Sequence, residues 1–116
     1  MKTYPIIIRA EAEKDIDNIW SYVAENDLPE KANALSDALE EQCHTLSYIP
    51  QRGRCVPELK NIGIFDFCEI FYKPYRIVYR ILDSRVIVCG IFDGRRELKD
   101  VLFKRMLTLT SEETAQ

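Results

Sequence analysis

The chain has 116 residues, of which 47% are hydrophobic, and its formal net charge is −3 at pH 7. A sequence of this length suits one domain with a single core that needs no metal or disulfide to hold it together. No apolar run approaches the ~18 residues that cross a bilayer, and the negative net charge argues against general coating of nucleic acid.

The first strand is predicted at residues 3–8, where Pro5 precedes three isoleucines. Proline suits the start of a strand or an edge strand. Charged residues follow at once, so this apolar run is too short to be the core of a signal peptide. We therefore expect a cytoplasmic protein with no membrane partner.

Two amphipathic helices are predicted next, and their short connection makes them an antiparallel hairpin. An apolar stripe at helical spacing marks the first of them and consists of Ile16, Ile19, Trp20 and Val23. The second is predicted from Leu28 to Tyr48, and Asp27 and Glu30 match the capping-box pattern at its start.

The remaining sequence predicts a loop at 49–61, three strands and a last helix. The strands alternate apolar and polar positions and are predicted at residues 62–72, 75–82 and 85–92. Asp83 and Ser84 form a hairpin turn, and the last helix follows Asp93 and Gly94.

The element order β-α-α-β-β-β-α predicts an α+β domain. In it, a helical hairpin packs on a small twisted, mainly antiparallel sheet, and a C-terminal helix follows the last strand. We assign residues 1–108 to this single domain and residues 109–116 to a polar C-terminal tail.

Charge is divided unevenly along the chain. Residues 1–50 carry a formal charge of −6, whereas residues 51–108 carry +5. Two interpretations follow from this division: the two parts complement each other, or the basic part binds an anionic partner. Charge by itself does not choose between them.

The strand at 75–82 places two arginines on one face of the sheet. Its alternation gives an all-apolar face, which belongs under the helices, and a second face that carries Arg76 and Arg80. We expect that second face to be uncovered and its guanidinium groups to be solvated, near Arg95 and Arg96. The alternative is that Arg80 pairs with Glu69 or with Asp66 in a surface salt bridge.

The cysteines predict neither a metal site nor a cofactor. Zinc sites usually take their ligands in close pairs, whereas Cys43, Cys55, Cys68 and Cys89 are 12 or more positions apart. Small apolar side chains in a reducing compartment account for them better.

Four segments, in order and covering residues 4 to about 107, together resemble one family. They are "A-x-x-D-I-x-x-I-W-x-Y" from Ala12, "P-x-x-G-R-x-x-P-E-L" from Pro50, "P-Y-R-I-V-Y-R" from Pro74 and "D-G-R-R-E-L" from Asp93. This set resembles the RelE/ParE superfamily of toxins from bacterial type II toxin–antitoxin modules. The resemblance implies a toxin that a cognate antitoxin holds inactive.

The resemblance implies one of two mechanisms. RelE-like members cleave messenger RNA on the ribosome, and their strand and loop arginines fall on Arg76 and Arg96, where Glu69 would be the candidate base. Their further basic positions fall near Phe67 and Glu69, and their tyrosine falls near Leu102, so these groups are missing here. The absence favours the ParE-like mechanism, which is inhibition of DNA gyrase without catalysis. A degenerate member that only binds its antitoxin is a third alternative.

Two overlapping sets of residues are predicted to bind partners. The target-binding set, for gyrase or alternatively for the ribosome with mRNA, comprises Arg76, Arg80, Arg95, Arg96, Lys99 and Arg105. The antitoxin-binding set comprises Trp20, Arg54, Arg76, Arg80 and Arg96. The toxin alone is not expected to bind specific DNA.

Overall fold

A five-stranded sheet forms the centre of the computed structural model, which describes the backbone of residues 2–114 and the side chains of residues 2–107. The strands are β1 (Ile6–Ile8), β2 (Arg54–Cys55), β3 (Cys68–Tyr72), β4 (Tyr75–Leu82) and β5 (Arg85–Asp93). Their order in the sheet is β1-β5-β4-β3-β2. β1 is parallel to β5, and the other neighbours are antiparallel. The predicted α+β fold is confirmed.

In the described part of the chain, four helices pack against this sheet. They are α1 (Ala10–Asn26), α2 (Pro29–Thr45), α3 (Pro57–Lys60) and α4 (Lys99–Thr114). The hairpin of α1 and α2 lies on one face, where Ile16 and Leu39 meet Ile77 and Tyr79 of β4 in the first hydrophobic core. The apolar side of β4 therefore faces the hairpin, as its alternation predicts.

The opposite face of the sheet is also covered, so the prediction that it is open is wrong. Leu98, Leu102 and Met106, at and beyond the start of α4, pack on this face together with Leu59 of α3. All four side chains are at most 5% exposed. Two helices therefore close a second core over the arginine-bearing side of β4.

The segment predicted as a loop at 49–61 contains regular structure. A 3₁₀ turn at Pro50–Arg52 leads into β2, and the single turn of α3 follows. β3 is correspondingly shorter than predicted, because it begins at Cys68 and not at residue 62. This segment forms the edge of the sheet and brings α3 beside β3.

The start of α2 differs from the predicted capping box. Leu28 is the N-cap residue, and its side chain makes no capping hydrogen bond. Asp27 lies one position too early to cap; its carboxylate instead pairs with Lys31 at 3.4 Å. Pro29 at the first helical position fits the helix start without a side-chain cap, since its missing N–H would have no partner there.

The hairpin turn between β4 and β5 lies where it was predicted, whereas the last helix extends into the predicted tail. Asp83 and Ser84 have φ of 52° and 62°, so the predicted two-residue hairpin has the left-handed pair that matches strand twist. α4 continues through Thr114 into the predicted tail, and the last two residues of that tail lie outside the described residues. Within residues 2–114, no helix is both long and apolar enough to cross a membrane.

Candidate functional site

Arg76 lies in a cage of two carboxylates on the second face of the sheet. Its Nε donates to Glu69 Oε1 at 2.7 Å. Its Nη1 and Nη2 donate to the two oxygens of Glu58 at 2.8 and 2.7 Å. The residue is 9% exposed and Glu69 is 1% exposed. Arg76 is therefore a buried cation whose three nitrogens all have partners.

Strand register and the turn of α3 assemble this cage. Phe71 is the direct partner of Arg76 in the β3–β4 ladder, so Glu69, two residues before Phe71, is a diagonal neighbour on the same face. Arg54 is directly opposite Glu69 in the β2–β3 ladder and donates to Glu69 Oε2 at 2.9 Å. α3 then brings Glu58 to the outer side of the guanidinium.

The cage has no net formal charge, because Arg54 and Arg76 balance Glu58 and Glu69. Hydrogen bonds from Arg76 hold the pKa of Glu58 below its usual value, and the same bonds raise the pKa of Arg76. Both oxygens of Glu69 already accept from arginines. The expectation of a solvated Arg76 is therefore wrong, and Glu69 forms its salt bridges with Arg54 and Arg76.

Arg80 is on the same face of β4 as Arg76 but at the other end of the strand. Its guanidinium carbon lies 5.5 Å from the centroid of the Phe67 ring, within the range of a cation–π contact. The residue is only partly exposed. The alternative prediction for Arg80 was a salt bridge with Glu69 or with Asp66. Glu69 does not fill this role, because its arginine partners are Arg54 and Arg76.

A cleft of about 500 Å³ separates α1 from the start of α4, beyond the C-terminal end of β5. Its apolar lining includes Ile19, Tyr22, Tyr75 and Val101, and its charged lining includes Arg95, Arg96, Arg105, Asp15, Asp93 and Glu97. Three of the predicted target-binding arginines are thus brought together here. The mixed lining suits a partner segment that is itself part apolar and part charged.

Arg95 and Arg96 form the exposed basic rim of this cleft. Arg95 Nε and Nη2 donate to the carboxylate of Asp93 at 2.9 and 2.8 Å, which lowers the pKa of Asp93. This pairing orients the turn but leaves Arg95 exposed, as Arg96 also is. Lys99 is exposed as well and lines a smaller cavity of about 220 Å³ beside Glu58.

Arg105 lies in the lining of the cleft and is paired with groups of the same chain. Its Nη1 and Nη2 donate to the two oxygens of Asp15 at 2.9 and 3.2 Å, and Nη1 also donates to the Cys89 carbonyl at 3.1 Å. Asp15 further accepts from the Ile91 N–H at 2.9 Å. Arg105 therefore links α4 to α1 and to β5, and both terminal nitrogens of its guanidinium already donate to acceptors of this chain.

The absence of a side chain at Gly90 leaves space for the guanidinium of Arg105. A Cβ on Gly90 would approach Arg105 Nη1 to 2.7 Å and the Phe92 ring to 2.6 Å. The guanidinium of Arg105 lies 5.0 Å from the centroid of that ring. Glycine in the middle of a strand often marks such a close approach.

The two remaining antitoxin candidates lie on different elements. Trp20 of α1 is 38% exposed and donates from Nε1 to Asn33 Oδ1 of α2 at 2.8 Å. The Arg54 side chain is 59% exposed and lies 4.9 Å from the centroid of the Phe71 ring. Both side chains are accessible, whereas Arg76 of the same set is not.

Sequence reasoning missed the partners that remove Arg76 and Arg105 from the surface. In the sequence, Glu58 and Asp15 each stand out only as one letter of a motif. The available signal for Asp15 was its position directly beside Ile16, at the edge of the apolar stripe of α1. A charge at such a position often needs a partner.

Comparison with known proteins agrees with this architecture. The family described as "ParE toxin of type II toxin-antitoxin system, parDE" matches residues 6–98. Toxin ParE3 of Caulobacter vibrioides is 32% identical over 91 residues, which are 78% of this chain and 87% of that protein.

Solved structures give the same result for the fold. The chromosomal ParDE system from P. aeruginosa superposes with a TM-score of 0.67 at 17% identity, over 78% of this chain and 96% of that one. The RelBE2 toxin–antitoxin complex from Mycobacterium tuberculosis gives 0.59 at 21% identity, over 80% and 93%.

Proposed function

The chain belongs to the ParE family of toxins of type II toxin–antitoxin systems, and from that premise we propose that it inhibits DNA gyrase and is neutralised by a cognate antitoxin. The observation that carries the mechanism is the cage around Arg76. A ribonuclease needs unpaired cations for the phosphorane and a free acid and base. Here the strand arginine is matched by two carboxylates and one of these, Glu69, is fully engaged.

Docking by an exposed surface needs no such chemistry. The proposed target surface consists of Arg95, Arg96 and Lys99, which are exposed around the start of α4. Arginine forks bind carboxylates and phosphates with defined geometry. Arg105 and Arg76 stabilise the elements beneath this surface and are not part of it. A gyrase target also implies a cytoplasmic location, which is part of the proposal.

The antitoxin is proposed to place an amphipathic segment in the cleft between α1 and α4. The apolar lining from Ile19, Tyr22 and Val101 suits its apolar side chains, and the rim arginines suit its acidic ones. Trp20 lies on the same helix but outside this lining, beside Asn33 of α2. The segment would cover Arg96, so that bound antitoxin and bound gyrase exclude each other.

Supercoiling of relaxed plasmid by purified gyrase tests the proposal. We expect the chain to block supercoiling and the antitoxin to restore it. Arg96→Glu is expected to weaken the block at least tenfold, because one reversed charge in a bound arginine contact costs more than about 1.4 kcal/mol. Arg85→Glu is the matched control, since Arg85 is an exposed arginine at the opposite end of β5.

A translation assay in parallel separates the alternatives. Messenger RNA cuts in the ribosomal A site made by the unaltered chain, with supercoiling unaffected, would establish the RelE-like mechanism and overturn the proposal. If neither supercoiling nor translation responds while the antitoxin still binds, the chain is a degenerate member that only binds its antitoxin.

A further inference from the structure

Two of the four cysteines face each other across neighbouring strands. Cys55 of β2 and Cys68 of β3 are direct partners in the antiparallel ladder. The Val56 N–H donates to the Phe67 carbonyl at 3.1 Å, and this bond flanks the cysteine pair. Cys55 and Cys68 are therefore a non-hydrogen-bonded pair, the type in which opposite side chains lie closest.

The geometry of such a pair matches the requirements of a disulfide. Directly opposed residues of this type have Cα atoms about 4.5 Å apart, and disulfides span Cα separations of about 4.4–6.8 Å. Opposed side chains also lie on the same face of the sheet. Both residues are partly exposed and carry free thiols, so an oxidant can reach them.

The other two cysteines differ in each of these respects. Cys43 of α2 and Cys89 of β5 are fully buried, and burial raises the pKa of each thiol to about 12. The pKa of Cys68 is also raised, first by burial and then by its neighbour Cys55. The influence of Cys55 on the pKa of Cys68 agrees with their placement in the ladder.

We propose that Cys55 and Cys68 form a reversible disulfide that staples β2 to β3. With glutathione disulfide as the oxidant, one protein thiolate attacks it, forms a mixed disulfide and releases one glutathione. The second protein thiolate then attacks the mixed disulfide and releases the second glutathione. Two protein thiols lose two electrons and two protons, and one glutathione disulfide becomes two glutathione thiols.

The staple acts on the segment that holds Arg76. The bond closes residues 55–68 into a loop that contains α3 and therefore Glu58, and Cys68 is adjacent to Glu69. Oxidation thus joins the two segments that carry the cage carboxylates. Closing a loop of this length stabilises a fold mainly by restricting its unfolded chain. The inference concerns this edge of the sheet and is independent of the proposed target.

The test is treatment of the purified full chain with glutathione disulfide, followed by thiol alkylation and mass spectrometry. We expect the chain to lose the mass of two hydrogen atoms, and a peptide map to show one link between Cys55 and Cys68. We also expect the melting temperature to rise by on the order of 10 °C, and dithiothreitol to reverse both changes. Because the map uses the unaltered chain, it does not depend on any variant folding.

Matched variants complete the experiment. Cys55→Ser and Cys68→Ser are expected to remove the linked peptide and the thermal shift, whereas Cys43→Ala is expected to keep both. Four alkylated thiols after oxidant treatment would overturn the proposal. Glutathione that stays attached to Cys55 or Cys68 without forming the link, or a link between two chains, would overturn it equally.

Discussion

Glu69→Gln is the most direct perturbation of the cage that decides how Arg76 is used. Glu69 is 1% exposed and accepts from Arg76 at 2.7 Å and from Arg54 at 2.9 Å. Glutamine keeps the volume and removes the charge. It also turns one acceptor oxygen into a donor, which then faces an arginine N–H.

The expected loss in the free energy of unfolding is obtained from the separate contributions of these two hydrogen bonds. A buried hydrogen bond to a charged group contributes about 2–3 kcal/mol, which applies to Arg76. The bond to Arg54 contributes less than about 1 kcal/mol, because the Arg54 side chain is 59% exposed. Arg76 keeps both bonds to Glu58, so the loss stays at the lower end for a broken buried pair. We expect Glu69→Gln to lower the free energy of unfolding by about 3 kcal/mol and the melting temperature by on the order of 10 °C.

Urea denaturation followed by circular dichroism measures this loss. Glu58→Gln is the matched control, because the Glu58 side chain is 25% exposed and Arg76 keeps Glu69; we expect about 1–2 kcal/mol. Arg54→Ala is expected to cost less than about 1 kcal/mol. A Glu69→Gln variant within about 0.5 kcal/mol of the unaltered chain, or more stable than Glu58→Gln, would refute this account of the cage.

Three further variants test other contacts. Asp15→Ala leaves the Ile91 N–H without an acceptor and leaves Arg105 only its bond to the Cys89 carbonyl, so we expect a loss of about 3 kcal/mol and faster hydrogen exchange in α4. Tyr79→Phe removes the bonds to Pro50 and Gly53 and costs about 2 kcal/mol. Burial raises the pKa of Tyr79 from 10.0 to about 12, so its contribution is complete below pH 10 and is lost as pH rises to 12; the phenylalanine variant lacks this loss. Glu58 has a pKa below its usual 4.5, so its contribution is present above pH 4.5 and is lost on acidification, and titration of Glu58→Gln should show a flatter acid limb.

The class of fold and the order of the longer elements follow from local patterns in the sequence, whereas β2 and α3 do not. Alternation in β4 fixed which side chains face the helical hairpin, since successive side chains of a strand point to opposite faces. The same alternation placed Arg76 and Arg80 on the other face, which is where they lie. Helical spacing located α1 and α2, and the residue pair Asp83–Ser84 marked the hairpin turn.

Whether the arginines reach solvent was decided only by the tertiary structure. Burial of Arg76 depends on α3, a single turn within a segment that reads as a loop, and on α4 folding back over the sheet. The contact that holds α4 joins Asp15 to Arg105, 90 positions later in the chain. A strand pattern gives the direction of a side chain, but the groups that finally cover it come from elsewhere in the chain, and only the packed fold brings them there.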